Sequence, residues 1–452
     1  MKKFDVIVIG AGTGLEIVSF AAGRGMKVAL IEEGVMGGTC LNRGCIPSKM
    51  LIHAADVAET IKSAGKFGIS AKIDSVDLAS LVKRVSETVD DDSKNIEESL
   101  REDNNVTIYK TRGKFVGDKT LEVAGETIVG DKIFIVAGTR PDVPPISGIE
   151  SVPYLTSTEA LRLTTLPETL VIIGGGYIAA ELAHFFGSLG STVHIINRGP
   201  KLVANEDSEI AEWFTGEFSK KHKVHLNAEI VGVRKEGSTV VVQIKNADGK
   251  TEDIAGNKLL MATGRKSNAD ILNVSDSGIK VSERGLIKVN DFLETSVKGV
   301  WALGDIVGIL SLKHTANHQV GYVIRNAFLG EHEPVDYSAI GHAMFSSPQV
   351  AGVGKTEDEL KKTNTPYRVG KYEYKNTGMG GALQENGLVK VLLAKDDDTI
   401  LGCHIIGKDA STLIHEVIVA MKATGKASAI TNAVHIHPAL SEVIQKAFYS
   451  VE

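Results

Sequence analysis

The stretch FDVIVIGAGTGLEIVSFAAGRGMKVALIEE, residues 4–33, decides the fold. β-branched residues open it, Gly10-x-Gly12 turns the chain, and an Ala-containing helical stretch follows. The apolar run Val28–Ile31 then returns and ends in a polar residue, Glu32. Strand, glycine-rich turn, helix and strand within about 30 residues make a βαβ unit. The arrangement recurs in TLVIIGGGYIAAELAHFFGSLGSTVHIINR, residues 169–198, which turns at Gly174-x-Gly176. Glycines there permit a tight turn and let backbone N–H groups approach a pyrophosphate at a helix N-terminus. One such run is weak evidence, whereas two inside complete units are strong. Both depart from the full pattern. Leu15 and Ala179 stand where a third glycine is expected; alanine is accepted there, but Leu15 is expected to loosen helix–strand packing.

A chain of 452 residues is too long for one core and implies about three domains. A 43% hydrophobic and 23% charged composition is that of an ordinary globular protein. The net charge of −6, without a dense Lys/Arg cluster, argues against nucleic acid as a partner. The acidic runs Asp90–Asp92 and Asp396–Asp398 read as solvated turns. Asp5 interrupts the apolar start, so MKKFDVIVIG reads as a strand and not a signal peptide. No segment approaches the length of a membrane span. Three cysteines do not make a secreted disulfide framework, so a cytoplasmic protein is expected.

Two further strand-to-turn signals, KIFIVAGTRP and KLLMATGRKSN, lie between and after the two units, and GVWALGD (residues 299–305) follows them. From about Pro334 the pattern changes. QVAGVG, GLVKVLLA and ILGCHIIG read as antiparallel strands, followed by the helical STLIHEVIVAMKATG, an α+β domain without a dinucleotide signature.

GGTCLNRGCIPSK, residues 37–49, sets Cys40 five residues before Cys45. A metal site needs about four ligands; the pair offers two, with no second close Cys/His set, so no metal is expected. A staple over so short a loop stabilises little and does not survive a reducing cytosol. A redox pair needs close sulfurs, a lowered thiolate pKa and an electron acceptor. Cys403, on an apolar strand, reads as a small buried hydrophobe.

Taken in order, GAGTG, GGTCLNRGCIPSK, AGTRP, GGGYIAAE, ATGR, ALGD and HIHPALSE resemble the FAD-dependent pyridine nucleotide–disulfide oxidoreductases over essentially the whole chain. The resemblance implies an α/β fold with two Rossmann-like domains and a C-terminal α+β dimerisation domain. FAD binding falls to residues 1–145 and 266–330, NAD(P) binding to 146–265, and dimerisation to 334–452. It supplies the missing acceptor: Cys45 against the flavin, Cys40 facing substrate. It also implies that His437, directly before Pro438, acts on the substrate thiol and that Glu442 orients it, leaving His435 a packing role. An imidazole near neutral pKa takes and returns a thiol proton, and a carboxylate fixes its tautomer. This histidine comes from the other subunit in the family, so a homodimer is expected. Lys49 and Glu181 are expected to pair near the flavin, where a cation favours the reduced flavin and a Cys45 thiolate. The remaining cofactor positions implied are Gly10, Gly12, Gly14, Gly38, Thr39, Gly138, Gly304 and Asp305 for FAD. For the second nucleotide they are Gly174, Gly176, Tyr177, Ile178, Gly264 and Arg265.

The return strands end differently. Glu32 is the acidic residue that hydrogen-bonds an adenosine ribose, as for FAD. The second strand ends at Asn197-Arg198, with Lys201 following. An NAD site wants a carboxylate there, whereas a 2′-phosphate is attracted by cations, so NADP(H) is favoured over NAD(H). The fold does not choose the substrate. The match around the sulfurs favours a dihydrolipoyl dehydrogenase acting on a lipoamide-like dithiol, with a 2-oxoacid dehydrogenase complex as a possible setting. The alternative is an NADPH-dependent reductase of low-molecular-weight disulfides, of mycothione or glutathione type. A flavin-binding module without turnover is the reading from another class, and the full Cys40, Cys45, Lys49, His437, Glu442 set argues against it.

Overall fold

The computed structural model describes residues 1–452 and divides into two compact units. The first comprises residues 1–48, 82–142 and 264–336. Its seven-stranded sheet runs Val106–Tyr109, Val28–Ile31, Lys2–Ile9, Glu126–Ile135, Thr120–Val123, Lys114–Gly117, with Val300–Ala302 added against Glu126–Ile135. The pairings around Lys2–Ile9 are parallel, with Val6 opposite both Val28 and Lys132. Near-continuous apolar runs suit such a sheet, because both faces are covered. Ile7, Val8, Ala29 and Ile133 are indeed fully buried.

The Gly14–Ala22 helix covers one face through Ile17, Val18, Ala21 and Ala22. Its close approach to the sheet is made by Gly14, where a Cβ would stand 2.8 Å from Val8 Cγ1. Leu15 lies half-buried to one side. The expected loosening at Leu15 is therefore corrected: the glycine needed for packing sits one residue earlier. Asp90–Asp92 are also corrected, being exposed positions on the long Leu78–Glu102 helix and not a turn. Phe134, fully buried, stacks on Trp301 at 5.1 Å and on Phe328 at 5.5 Å between ring centroids.

The second unit comprises residues 49–81, 143–263 and 337–452. A parallel sheet runs Lys223–His225, Thr192–Ile196, Thr169–Ile173, Lys258–Met261, accompanied by a three-stranded antiparallel sheet from Glu229 to Gly256. The C-terminal sheet is antiparallel, in the order Gly341–Met344, Gln349–Gly354, Ile400–Gly407, Leu388–Ala394, Tyr367–Glu373. The helices Ala410–Ala423 and Glu442–Tyr449 bury Ile414, Val417, Val443 and Ile444 in its core. Cys403 is fully buried on Ile400–Gly407, as expected of a small apolar side chain. No helix is long and apolar enough to cross a membrane.

Candidate active site

In the first unit Cys40 lies on the short Gly38–Arg43 helix, which Gly44 ends, and Cys45 opens the next helix, Cys45–Ser63. No disulfide joins them; Cys40 is half-buried and Cys45 exposed. Their hydrogen bond, and after it burial, push the Cys40 thiol far above the usual range, while the nearby Lys313 ammonium pulls it down. Arg265 donates from Nε to Thr139 Oγ1 at 2.7 Å and from Nη2 to Thr139 O at 2.6 Å. Burial lowers its pKa, and the neighbouring Asp305 and Cys45 oppose that shift. Arg265 and Gly264 thus belong to the first unit, with Thr139, whose Oγ1 donates to Asp305 Oδ2 at 3.2 Å.

The first glycine-rich turn fits a dinucleotide. Gly10 has φ +107°, and a Cβ there would stand 2.5 Å from Val136 O. A Cβ on Gly38 would stand 2.7 Å from Gly12 Cα, so two bare backbones meet beside Thr39 and Cys40. Glu32 accepts from Ala11 N at 2.8 Å and Gly34 N at 2.7 Å. Its carboxylate keeps lone pairs for ribose hydroxyls. Gly138 and Gly304 both take positive φ, and Gly304 N donates to Gln319 Oε1 at 2.7 Å. Two buried oxygens in this unit, Asn42 Oδ1 and Thr315 Oγ1, have no hydrogen-bond partner. Orphaned buried acceptors of this kind ask for a donor from a bound group.

The second turn repeats the first: Gly174 has φ +123°, and a Cβ there would stand 2.2 Å from Ala262 O. Tyr177 and Ile178 open the Tyr177–Leu189 helix directly after Gly176. At the strand end Asn197 Nδ2 donates to Gly199 O at 3.1 Å and Lys201 O at 2.9 Å. Lys201 Nζ donates to Ser208 Oγ at 2.7 Å, its side chain mostly covered. At this strand end the Lys201 ammonium is engaged with Ser208, and Arg198 is exposed. Sequence reasoning missed two partners of Tyr177. Its hydroxyl donates to buried Glu206, whose other oxygen meets His342 Nε2 at 3.0 Å. No local signal marks that trio, because its members are far apart in sequence.

Lys49 lies one turn beyond Cys45 on the Cys45–Ser63 helix. Its Nζ donates to both oxygens of Glu181, at 2.8 and 2.7 Å, which also accepts Phe345 N at 3.0 Å. The ammonium lies 4.7 Å from the Phe345 ring centroid. His437 Nδ1 meets Glu442 Oε1 at 3.0 Å, and Ala439 N donates to Glu442 Oε2 at 3.1 Å. These two bonds, that from His437 the stronger, hold the Glu442 carboxyl below its ordinary value. His437 is 77% exposed, so with Nδ1 on the carboxylate its Nε2 is presented outward as a base. The His435 side chain is largely covered, and its Nε2 meets Glu416 Oε1 at 2.6 Å. Val434, Ile436 and Tyr449 stand exposed around this loop.

A close dithiol beside a dinucleotide cradle, a second dinucleotide turn and a carboxylate-held histidine define a class of redox enzyme. Residues 4–320 match the pyridine nucleotide-disulphide oxidoreductase family, and residues 340–448 match its dimerisation domain. The chain belongs to that family, whose members use FAD and a pyridine nucleotide. It is 37% identical over 462 residues to mycothione reductase of Mycobacterium tuberculosis, covering 99% of each chain. It is 34% identical over 454 residues to the mitochondrial dihydrolipoyl dehydrogenase of Pisum sativum, covering 98% of this chain and 90% of the relative. The Cu(II) complex of the HOCl-induced flavoprotein disulfide reductase RclA from Escherichia coli superposes with TM-score 0.88 at 27% identity, over 99% of each chain.

Proposed function

We propose that this protein passes electrons between NAD(P)(H), FAD, the Cys40–Cys45 pair and a small disulfide or dithiol. The observation that carries the reading is the hydrogen-bonded Cys40–Cys45 pair. FAD, when bound, supplies the two-electron carrier between nicotinamide and sulfur. In this reading residues 1–145 and 266–330 bind FAD, 146–265 bind NAD(P), and 334–452 form the dimer. Glu32 takes a ribose of FAD, and Arg198 takes the 2′-phosphate of NADP(H).

The residues then act in sequence. Lys49, fixed on Glu181, keeps a positive charge one turn from Cys45 and favours its thiolate. His437 takes the Cys40 proton as Cys40 attacks one sulfur of the substrate disulfide, and returns it to the first sulfur, which leaves as thiol. The Cys45 thiolate next attacks Cys40 in the mixed disulfide, forming the Cys40–Cys45 disulfide and releasing the second sulfur as a thiolate, which takes a proton from water. Glu442 holds His437 in the tautomer that accepts the Cys40 proton. His437 comes from a second copy of the chain, whose contact would cover Val434, Ile436 and Tyr449.

The motif around the sulfurs favours a dihydrolipoyl dehydrogenase. A second reading, a reductase of low-molecular-weight disulfides, is favoured by Asn197 in place of a carboxylate and by the mycothione reductase relative. A steady-state panel of lipoamide, glutathione disulfide and mycothiol disulfide with NADH and NADPH separates them. Turnover that survives in both Cys40→Ser and Cys45→Ser would overturn the proposal as a whole.

A further inference from the structure

His437 is largely exposed, so its place is set by the backbone that carries it. No backbone–backbone hydrogen bond reaches residues 434–438. The segment is tied at one end by Ala433, whose carbonyl accepts from Gln445 Nε2 at 2.7 Å, and at the other by Ala439, whose N–H donates to Glu442. Between those ties His435 turns inward. Its side chain is 8% exposed, whereas the residues on either side, Val434 and Ile436, are 99% and 79% exposed. His435 Nε2 meets Glu416 Oε1 at 2.6 Å, and its Nδ1 faces Ala433 O at 3.3 Å. Glu416 stands on the Ala410–Ala423 helix, which buries Ile414, Val417 and Ala420 in the C-terminal core. The carboxylate is therefore a fixed point, and His435 joins the loop to it.

We propose that Glu416 and His435 are positioning residues for His437: together they tie the base-bearing segment to a helix of the core and fix the point from which Nε2 is presented. The inference rests on the dithiol reading above and deepens it, adding two residues that act on the sulfurs only through His437. Two histidines two residues apart thus divide the work. One is anchored inward on Glu416, and the other is held outward on Glu442. A misplacement of about 1 Å can cost roughly a hundredfold in rate, so a loosened loop impairs catalysis without removing any reacting group. A hydrogen bond to a carboxylate is about twice as strong as a neutral one, which suits a tie placed two residues from the base.

The test is the rate at which iodoacetamide alkylates Cys40 in chemically reduced holoenzyme freed of reductant, located by peptide mapping, in a double-mutant cycle with His437. Glu416→Ala in otherwise wild-type protein should slow alkylation at pH 7 roughly tenfold. In His437→Gln protein the same change should slow it by less than about twofold, because the base through which it acts is gone. His435→Leu, which fills the space and cannot donate, should behave like Glu416→Ala. Glu416→Gln, which still accepts from His435, should recover most of the rate. Reduction of the flavin by NAD(P)H, a step without His437, should be unchanged in every variant. Equal slowing in both backgrounds would show that the pair supports the fold and not the base, and overturns the proposal. An unchanged rate in Glu416→Ala does the same, as does a Glu416→Gln or His435→Leu protein that loses FAD or dissociates. No effect of His437→Gln itself would remove the base from Cys40, so failure of the wider reading is seen separately, before any change at Glu416.

Discussion

The two glycine-rich turns share a backbone and differ in hydrogen-bond polarity. In each, the first glycine has positive φ and leaves no room for a Cβ against the carbonyl just past the end of the neighbouring parallel strand, Val136 O in one and Ala262 O in the other. At the end of the first return strand a carboxylate, Glu32, accepts two backbone N–H groups. At the end of the second an amide, Asn197, donates to two backbone carbonyls. The first loop end therefore carries negative charge, which suits hydroxyls and repels phosphate. The second carries none and has an exposed guanidinium beside it. Sterics set the shared turn, and one side chain at each strand end sets the polarity of its hydrogen bonds.

The largest expected effect breaks the likeness itself. Gly10→Ala and Gly174→Ala each introduce a collision at positive φ, worth about 2–4 kcal/mol. Gly10→Ala should purify without flavin colour, whereas Gly174→Ala should stay yellow and lose reduction by NAD(P)H. An exchange of those phenotypes would reverse the assignment of the two turns.

Next comes the second strand end. A bidentate guanidinium–phosphate contact contributes about 1.5–3 kcal/mol, a roughly ten- to hundred-fold preference. Arg198→Met with Asn197→Glu should lower the NADPH-to-NADH ratio of kcat/KM by that factor. Loss of the Asn197 donors should loosen the Gly199–Lys201 turn, so the ratio and not either KM alone is decisive. An unchanged ratio would make Arg198 an ordinary surface cation.

The first strand end should respond more mildly. Glu32→Gln keeps one acceptor and turns an NH2 toward a backbone N–H, so FAD affinity should fall roughly tenfold, read by flavin release on dilution. Activity at saturating FAD should recover, and failure to recover would place Glu32 in the chemistry and not in binding.

The smallest effect lies outside both turns and serves as their control. The Glu442 carboxyl has a lowered pKa in the folded protein, so its stabilising bonds are present above the ordinary carboxylate range and are lost as pH falls through the lowered value. The melting-temperature difference between wild type and Glu442→Gln should therefore shrink as pH falls below the ordinary carboxylate value. A difference that does not change with pH would mean that the His437–Glu442 pair is not formed in solution.

Much of this was legible in the sequence because it is local. Each βαβ unit shows its strand, turn and helix within about 30 residues, and the HIHPALSE spacing already sets His437 five residues before Glu442. What was not legible depends on meetings between distant segments. Gly14 could be recognised as the packing glycine only once Val8 was beneath it. Glu206 and His342 meet at Tyr177, and Lys313 meets Thr13, across separations that no periodicity reports.

The stacking of Phe134 between Trp301 and Phe328 has a consequence for how the chain comes off the ribosome. Phe134 belongs to a strand made early, but both of its aromatic neighbours, and the Val300–Ala302 strand beside it, are made much later. Until then the growing sheet has an open edge at Ile133–Ile135, with a large ring uncovered. The second βαβ unit, Thr169–Arg198, is synthesised meanwhile and can close through local pairings of its own. Nascent chains arrested before Trp301 should thus recruit chaperones through the first sheet, although that sheet begins at the N-terminus.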